Sequence, residues 1–356
     1  MNHLPQRISL VAQTVSVLLE EMQSGQWGGW LPGEHALCAQ LHVSRKTLRV
    51  ALDRLQRAGV VKCERGQHRR IVSRRPAVAA RRSKRVVLLM PAELESLEAF
   101  VLCLIDRLRT YLAAEGYELD TLASRALNRA RVPKELENLS KALNPAGWVL
   151  LHSTELTQRW FEAQQLPCVV LGSCYAGVRL SSVDIDYDAL CPHAVNHFIS
   201  CGHKRLTLIS PRPAAPGDIL MEIAFLETAA RKKASGIQGD VVKHDGTVAG
   251  VCLRVDKMMA RAQRPTAIMV SGAHHFLTVM TRLLSSGARI PHDVALISPE
   301  DDSYLEAITP TVARYSNNPK PFLANTSRLV MDMIRGTARI EHCKIMPNFI
   351  RGQTLG

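Results

Sequence analysis

Apolar positions along this chain repeat with two periods, and the change from one to the other divides it. Up to about residue 60 the repeat is helical. Ala36, Leu37 and Leu41 outline a short helix, roughly Glu34–Leu41, with Pro32 and Gly33 punctuating the chain before it. Leu48, Ala51, Leu52 and Leu55 then fall at i, i+3, i+4 and i+7, one buried stripe on a second helix. His42 and Val43 make the turn between them. Ser44 suits the N-cap of the second helix, because its hydroxyl can accept from an otherwise orphaned backbone N–H. Beyond Gly59, Val60–Lys62, Arg65-Gly66 and Arg70–Val72 read as strand, tight turn, strand.

From Arg85 onward short apolar runs alternate with longer helical stretches. The runs are Val86–Met90, Leu119–Leu122, Trp148–Leu151, Cys168–Leu171, Leu206–Ser210, Val241–Lys243, Ala267–Val270 and Val294–Ile297. Continuous apolar runs spaced by about a dozen helical residues predict βαβ units and parallel sheets. So many strands in this length predict two doubly wound lobes rather than one sheet. The intervening segment 73–84 is basic, poor in large apolar residues and contains Pro76, which marks it as a linker.

Charge sharpens that division. The chain of 356 residues carries a formal net charge of +13. Residues 1–85 hold 16 Lys or Arg against 5 Asp or Glu, whereas the remaining 271 residues hold 29 against 27. A basic head on a nearly neutral body is the electrostatic footprint of nucleic-acid binding. No apolar run is long enough to span a bilayer, and residues 1–10 lack the layout of a signal peptide, so a cytoplasmic protein with no membrane partner is expected. The nine cysteines are scattered and never spaced Cys-x-x-Cys, which reads as free thiols.

In the head, Leu31-Pro32-Gly33-Glu34 followed by Val43-Ser44-Arg45-Lys46-Thr47-Leu48-Arg49 resembles the GntR-type winged helix over residues 6–72. The resemblance implies a DNA-binding domain at 1–72. Arg45 and Arg49 would contact DNA, supported by Glu34, Ser44, Lys46 and Thr47, and the wing tip Arg65, Gly66, Gln67 and His68 would lie against the duplex. Two positions depart from the family. His35 stands where a DNA-contacting Arg is usual, and His68 replaces the second wing glycine.

The body resembles the LacI type. Asp186-Tyr187-Asp188-Ala189 leads into a helix followed by Gly202-His203-Lys204-Arg205. Further on come Pro265-Thr266-Ala267-Ile268, Gly287-Ala288-Arg289-Ile290-Pro291-His292-Asp293-Val294 and the closing Pro347-Asn348-Phe349-Ile350-Arg351-Gly352. The fold class implied is α/β: a winged helix-turn-helix followed by a two-lobed, periplasmic-binding-protein-like effector domain at 85–356. Lobe 1 would comprise about 85–186 and 316–337, and lobe 2 about 187–315 and 338–356. A small effector, sugar or sugar-like, would sit between the lobes, and lobe closure would control a dimeric transcription regulator, a repressor, on its operator. Three positions where such sensors bind sugar hydroxyls align with Met221, Gly272 and Glu300. Only the carboxylate retains hydrogen-bonding power, which points away from a plain hexose or toward other residues such as Ser153, Asp186 and His274. A regulator that has lost effector binding is a further reading.

An enzyme with a DNA-binding head is the competing class. Neither Gly-x-x-x-x-Gly-Lys-Ser/Thr nor Gly-x-Gly-x-x-Gly occurs. His193, His197 and Cys201 recur every four residues, a spacing that could ligate a metal, but helix-surface and packing roles explain them more simply. No cofactor, metal or catalytic residue is therefore expected.

Overall fold

The structure is a computed structural model that describes residues 10–24, 27, 29–57, 59–63, 69–71, 83–91, 93–94, 97–124, 127 and 132–356. It forms two compact units, Met1–Arg82 and Ser83–Gly356. The segment 73–82 of the expected linker and the wing-tip residues Arg65, Gly66, Gln67 and His68 lie outside the described residues.

In the first unit, helices α1 (Leu10–Ser24), α2 (Glu34–Leu41) and α3 (Arg45–Arg57) precede a two-stranded antiparallel ribbon, β1 (Val61–Lys62) and β2 (Arg70–Ile71). The predicted stripe closes the core: Leu48, Ala51, Leu52 and Leu55 are buried against Leu18 and Met22 of α1, Leu37 of α2 and Val60. His42 ends α2 in the left-handed conformation, φ 51°, and so turns the chain toward α3.

The second unit holds two six-stranded sheets. The first contains β3 (Arg85–Met90), β4 (Glu118–Ala123), β5 (Gly147–Leu151), β6 (Cys168–Leu171) and β7 (Ser181–Ile185). Helices α4 (Ala99–Ala114), α5 (Val132–Leu143) and α6 (Glu155–Ala163) connect its strands. Strand β3 lies between β4 and β5, so the strand order reverses there. Helix α7 (Tyr187–Ser200) then leads into the second sheet: β8 (Arg205–Pro211), α8 (Pro216–Arg231), β9 (Gln238–His244), α9 (Val248–Met259), β10 (Ala267–Val270), α10 (Ala273–Ser285), β11 (Ala295–Ser298) and β12 (Ala313–Ser316). Here the order reverses at β8, between β9 and β10.

Helices cover both faces of each sheet, which explains the unbroken apolar runs of the inner strands. In the first lobe α4 and α11 (Pro319–Arg335) pack on one face around Leu108 and Val330, and α5 and α6 on the other around Trp148 and Phe161. In the second, α7 and α8 cover one face and α9 and α10 the other.

The chain ends with β13 (His342–Ile345) and β14 (Asn348–Ile350). Strand β13 pairs in parallel with β7, and β14 pairs antiparallel with β12. This corrects the expected lobe boundary. Residues 342–345 belong to the first lobe, and the chain crosses back at Met346-Pro347 rather than near 338. Ser181 and Ser182 fix that edge, accepting the Glu341 amide and pairing with His342 Nδ1.

Candidate nucleic-acid interface and ligand cleft

The first turn of α3 is capped as its sequence requires. Ser44 Oγ accepts the Thr47 N–H at 3.1 Å and pairs with Thr47 Oγ1 at 2.8 Å. With Leu48 and Leu52 turned inward, Arg45, Lys46 and Arg49 stand exposed on the outer face, and His35 is exposed on α2.

Glu34 organises this surface. Its carboxylate meets Arg49 Nε at 3.0 Å, Arg45 Nε at 3.5 Å and Arg69 at 2.9 Å. The Arg69 hydrogen bond is the main cause that holds Glu34 below the usual carboxylate range. Glu34 thus ties α2, the recognition-type helix and the foot of the ribbon together, and steers two guanidinium groups without neutralising the face. Arg69 escaped the sequence reading because it is 35 residues from its partner. Only folding makes them neighbours.

In the second unit a cavity of about 330 Å³ opens between the two sheets. It lies beyond the carboxyl ends of β3, β5, β6, β7, β8 and β11, the loops where doubly wound folds place their ligands. Phe100, Phe322, Tyr175 and Tyr187 form apolar wall, and Glu98, Asp184, Asp218, Glu300 and Asp301 supply carboxylates. Tyr187 fits closely beside Gly217, where a Cβ would approach the phenol oxygen to 2.7 Å.

Hydrogen bonds hold the carboxylates in place. Asp184 accepts from Ser173 Oγ and from the Ile185 N–H, 2.7 Å away. Asp218 caps α8 through the Ala215 N–H at 3.0 Å and accepts Ser271 Oγ at 2.7 Å. Glu300 accepts the Gly272 and Ala273 amides, each at 3.2 Å, at the start of α10. Burial raises the Asp184 carboxyl to about 6, with the Asp218 charge adding to the rise. Burial raises Glu300 to about 7, aided by Glu98 and Asp218.

Of the effector residues expected from sequence, Ser153 and Glu300 line this cavity. The other four are placed elsewhere. Asp186 caps α7 through the Ala189 N–H. Met221 is buried among the α7–α8 core residues and its carbonyl accepts from Cys191 Sγ. Gly272 contributes its backbone N–H to Glu300. His274 is exposed and stacks near His275, with ring centres 3.8 Å apart. Met221 and Gly272 therefore say nothing about ligand polarity. The cleft residues missed, Asp184, Asp218, Tyr187 and Asn317, sit at strand ends and helix starts, where no local pattern sets them apart from other loop residues.

The helical histidines are packing groups. His193 Nδ1 pairs with Tyr315 Oη at 2.7 Å, and His197 stacks on Phe349 at 4.2 Å.

Residues 13–71 match the profile of the bacterial regulatory proteins of the gntR family, and residues 195–355 that of the periplasmic binding protein-like domain. The chain thus matches a GntR-type helix-turn-helix domain near its start and a periplasmic-binding-protein-like domain in its body, and the body has the fold of LacI-family regulators. Catabolite control protein A of Priestia megaterium is 24% identical over 169 residues, 46% of this chain and 51% of the relative. The chain spans about half the length of the curated relatives it matches. Among solved structures, a probable maltose operon transcriptional repressor malR from Staphylococcus aureus superposes with TM-score 0.67 at 18% identity, covering 77% of this chain and 98% of that one. A LacI family transcriptional regulator from Arthrobacter, in complex with lactose, superposes with TM-score 0.61 at 12% identity, covering 76% and 99%. These likenesses are to regulators.

Proposed function

We propose that this protein is a sequence-specific DNA-binding transcription regulator, a repressor, released or locked by a small metabolite bound between the two lobes of its body. The observation that carries the reading is the outer face of α3. Arg45, Lys46 and Arg49 project from the first turns of a capped helix, in the part of the chain that holds nearly all the excess positive charge. Such a turn suits the major groove, where guanidinium groups read guanine edges and lysines neutralise phosphates. Expected contacts extend to His35, Thr47 and the wing tip 65–68, with Glu34 as a positioning residue.

The cleft supports an effector of sugar-like size, since cavities of this volume enclose small metabolites and the Arthrobacter neighbour holds lactose. A repressor acts by occupying DNA that polymerase needs, so it works in the cytoplasm. Among the described residues no helix is long and apolar enough to cross a membrane.

We further propose that two copies pair through the body. Ile219, Leu220, Ile223 and Leu226 form an apolar stripe along α8 that stands between 38% and 48% exposed. A second copy covering that stripe would present two heads to a two-fold operator.

Selection of bound duplexes from a randomised pool by the full chain tests the function. A recovered motif with two related half-sites is expected. Recovery of unenriched sequence after repeated rounds would overturn the reading.

A further inference from the structure

The carboxylates around the inter-lobe cavity are arranged as acceptors without counter-charges. Asp301 is answered by Arg314, whose Nε lies 2.5 Å away. Glu98, Asp184, Asp218 and Glu300 meet no Lys, Arg or His within ion-pair distance among the described residues. What holds the last three is a set of neutral donors: two serine hydroxyls and backbone amides. Those bonds fix the oxygens in position and leave the charges unbalanced.

A second observation, independent of the acids, points the same way. Asn317 also lines the cavity, and its Oδ1 is buried with no hydrogen-bond partner among the described residues. A buried acceptor left unmet is costly and calls for a donor. Gln158, the lining amide that might have donated, is already engaged. Its Nε2 donates to Ser153 Oγ and the Ser173 carbonyl, and its Oε1 accepts the Tyr175 amide. The cavity thus combines carboxylates that have no counter-ion with an unmet amide oxygen.

We infer that, within the effector-controlled reading proposed above, the cavity takes a small organic cation: a metabolite carrying a protonated amine on a ring-shaped or apolar body. An ammonium group offers three donors and a full positive charge to these acceptors. The aromatic rings of Phe100, Phe322, Tyr175 and Tyr187 then cover the body of the ligand and favour a nearby cation through their faces. An anionic metabolite would face unbalanced carboxylates. A neutral polyol would satisfy hydrogen bonds and leave the charge. Among the described residues no group of three His, Cys, Asp or Glu is placed to hold a metal ion, which favours an organic cation over an inorganic one. Burial is the main cause that raises Asp184 and Glu300, and the Asp218 charge adds to both; a bound cation relieves that added repulsion.

The test is calorimetric titration of the full chain, without DNA, with matched amine and alcohol pairs: glucosamine against glucose, galactosamine against galactose, and benzylamine against benzyl alcohol. At least one amine should bind tenfold or more tightly than its neutral counterpart. Asp184→Asn and Asp218→Asn should each erase most of that preference, read as the ratio of amine to alcohol binding within the same variant. Equal or tighter binding of every alcohol, or no binding of any amine in the millimolar range, would overturn the inference, and neither result depends on a variant folding. Because no DNA is present, failure of the regulatory reading leaves this result standing. Conversely, release of operator by plain glucose or galactose would keep the regulator and refute the cation.

Discussion

At the scale of single residues, the head and the cleft rely on charge in opposite ways. In the head, Glu34 holds Arg45 and Arg49 while both remain exposed, as the proposed DNA contact requires. Replacing Arg49 with Ala should weaken binding to a selected duplex by about 1–3 kcal/mol, read as an anisotropy titration, as for a lost base-edge contact. Unchanged affinity would remove Arg49 from the interface. In the cleft, Glu300 is raised from an ordinary 4.5 to about 7 by burial and by Glu98 and Asp218, with only the Gly272 and Ala273 amides opposing. Asp184 is raised from 3.8 to about 6 by burial and Asp218, opposed by Ser173 and the Ile185 amide. At these two groups the folded state binds more protons than the unfolded chain between those values, so their contribution to stability is lost as pH rises from about 4 to 7. Burial lowers His244 to about 4 and opposes them over the same window, so the test is a comparison. The melting temperature of a Glu300→Gln variant should gain on that of the parent chain as pH rises from about 4 to 7, and a constant difference would contradict the carboxylate geometry. Residue roles were the part least legible from sequence. Glu34, Ser44 and Arg49 could be placed because they share one local motif. Asp184 and Asp218 could not, since a carboxylate at a strand end looks like any loop acid until the lobes face one another.

The same contrast holds for elements. The helix pair of the head and eight of the strands were readable because their apolar positions follow one period without interruption. Strand β7 was not. Its sequence, Ser181-Ser182-Val183-Asp184-Ile185, carries polar groups whose partners lie some 160 residues away at Glu341 and His342. Strand β13, which shares that edge, is short and polar as well. That is why the third crossing between lobes was misplaced. Two predictions belong to elements. Ser44→Ala removes the cap of α3 and should cost the head about 1 kcal/mol, seen as a lower melting temperature together with weaker DNA binding. An unchanged melt would mean that the cap contributes nothing. Ile223→Asp places a charge in the exposed stripe of α8 without touching its buried face. Sedimentation should show dimers for the parent chain and monomers for the variant, and dimers in both would put the pairing surface elsewhere.

For the whole molecule, the division of charge is the clearest sign of the division of labour. The excess of positive charge sits in the head, whereas the cavity of the body is lined by acids. A regulator built this way gains general DNA affinity from phosphate neutralisation and specificity from a few base contacts. Binding should therefore weaken steeply with salt, while the preference for the selected sequence persists. The central claim is that α3 reads sequence. It is tested most directly by anisotropy titration of the full chain against its selected duplex and a scrambled duplex of equal composition, repeated with an Arg45→Ala, Arg49→Ala variant. The parent chain should prefer the selected duplex by about a thousandfold or more, and the variant should bind both duplexes alike. Equal binding of the two duplexes by the parent, or a preference that survives both substitutions, would contradict it.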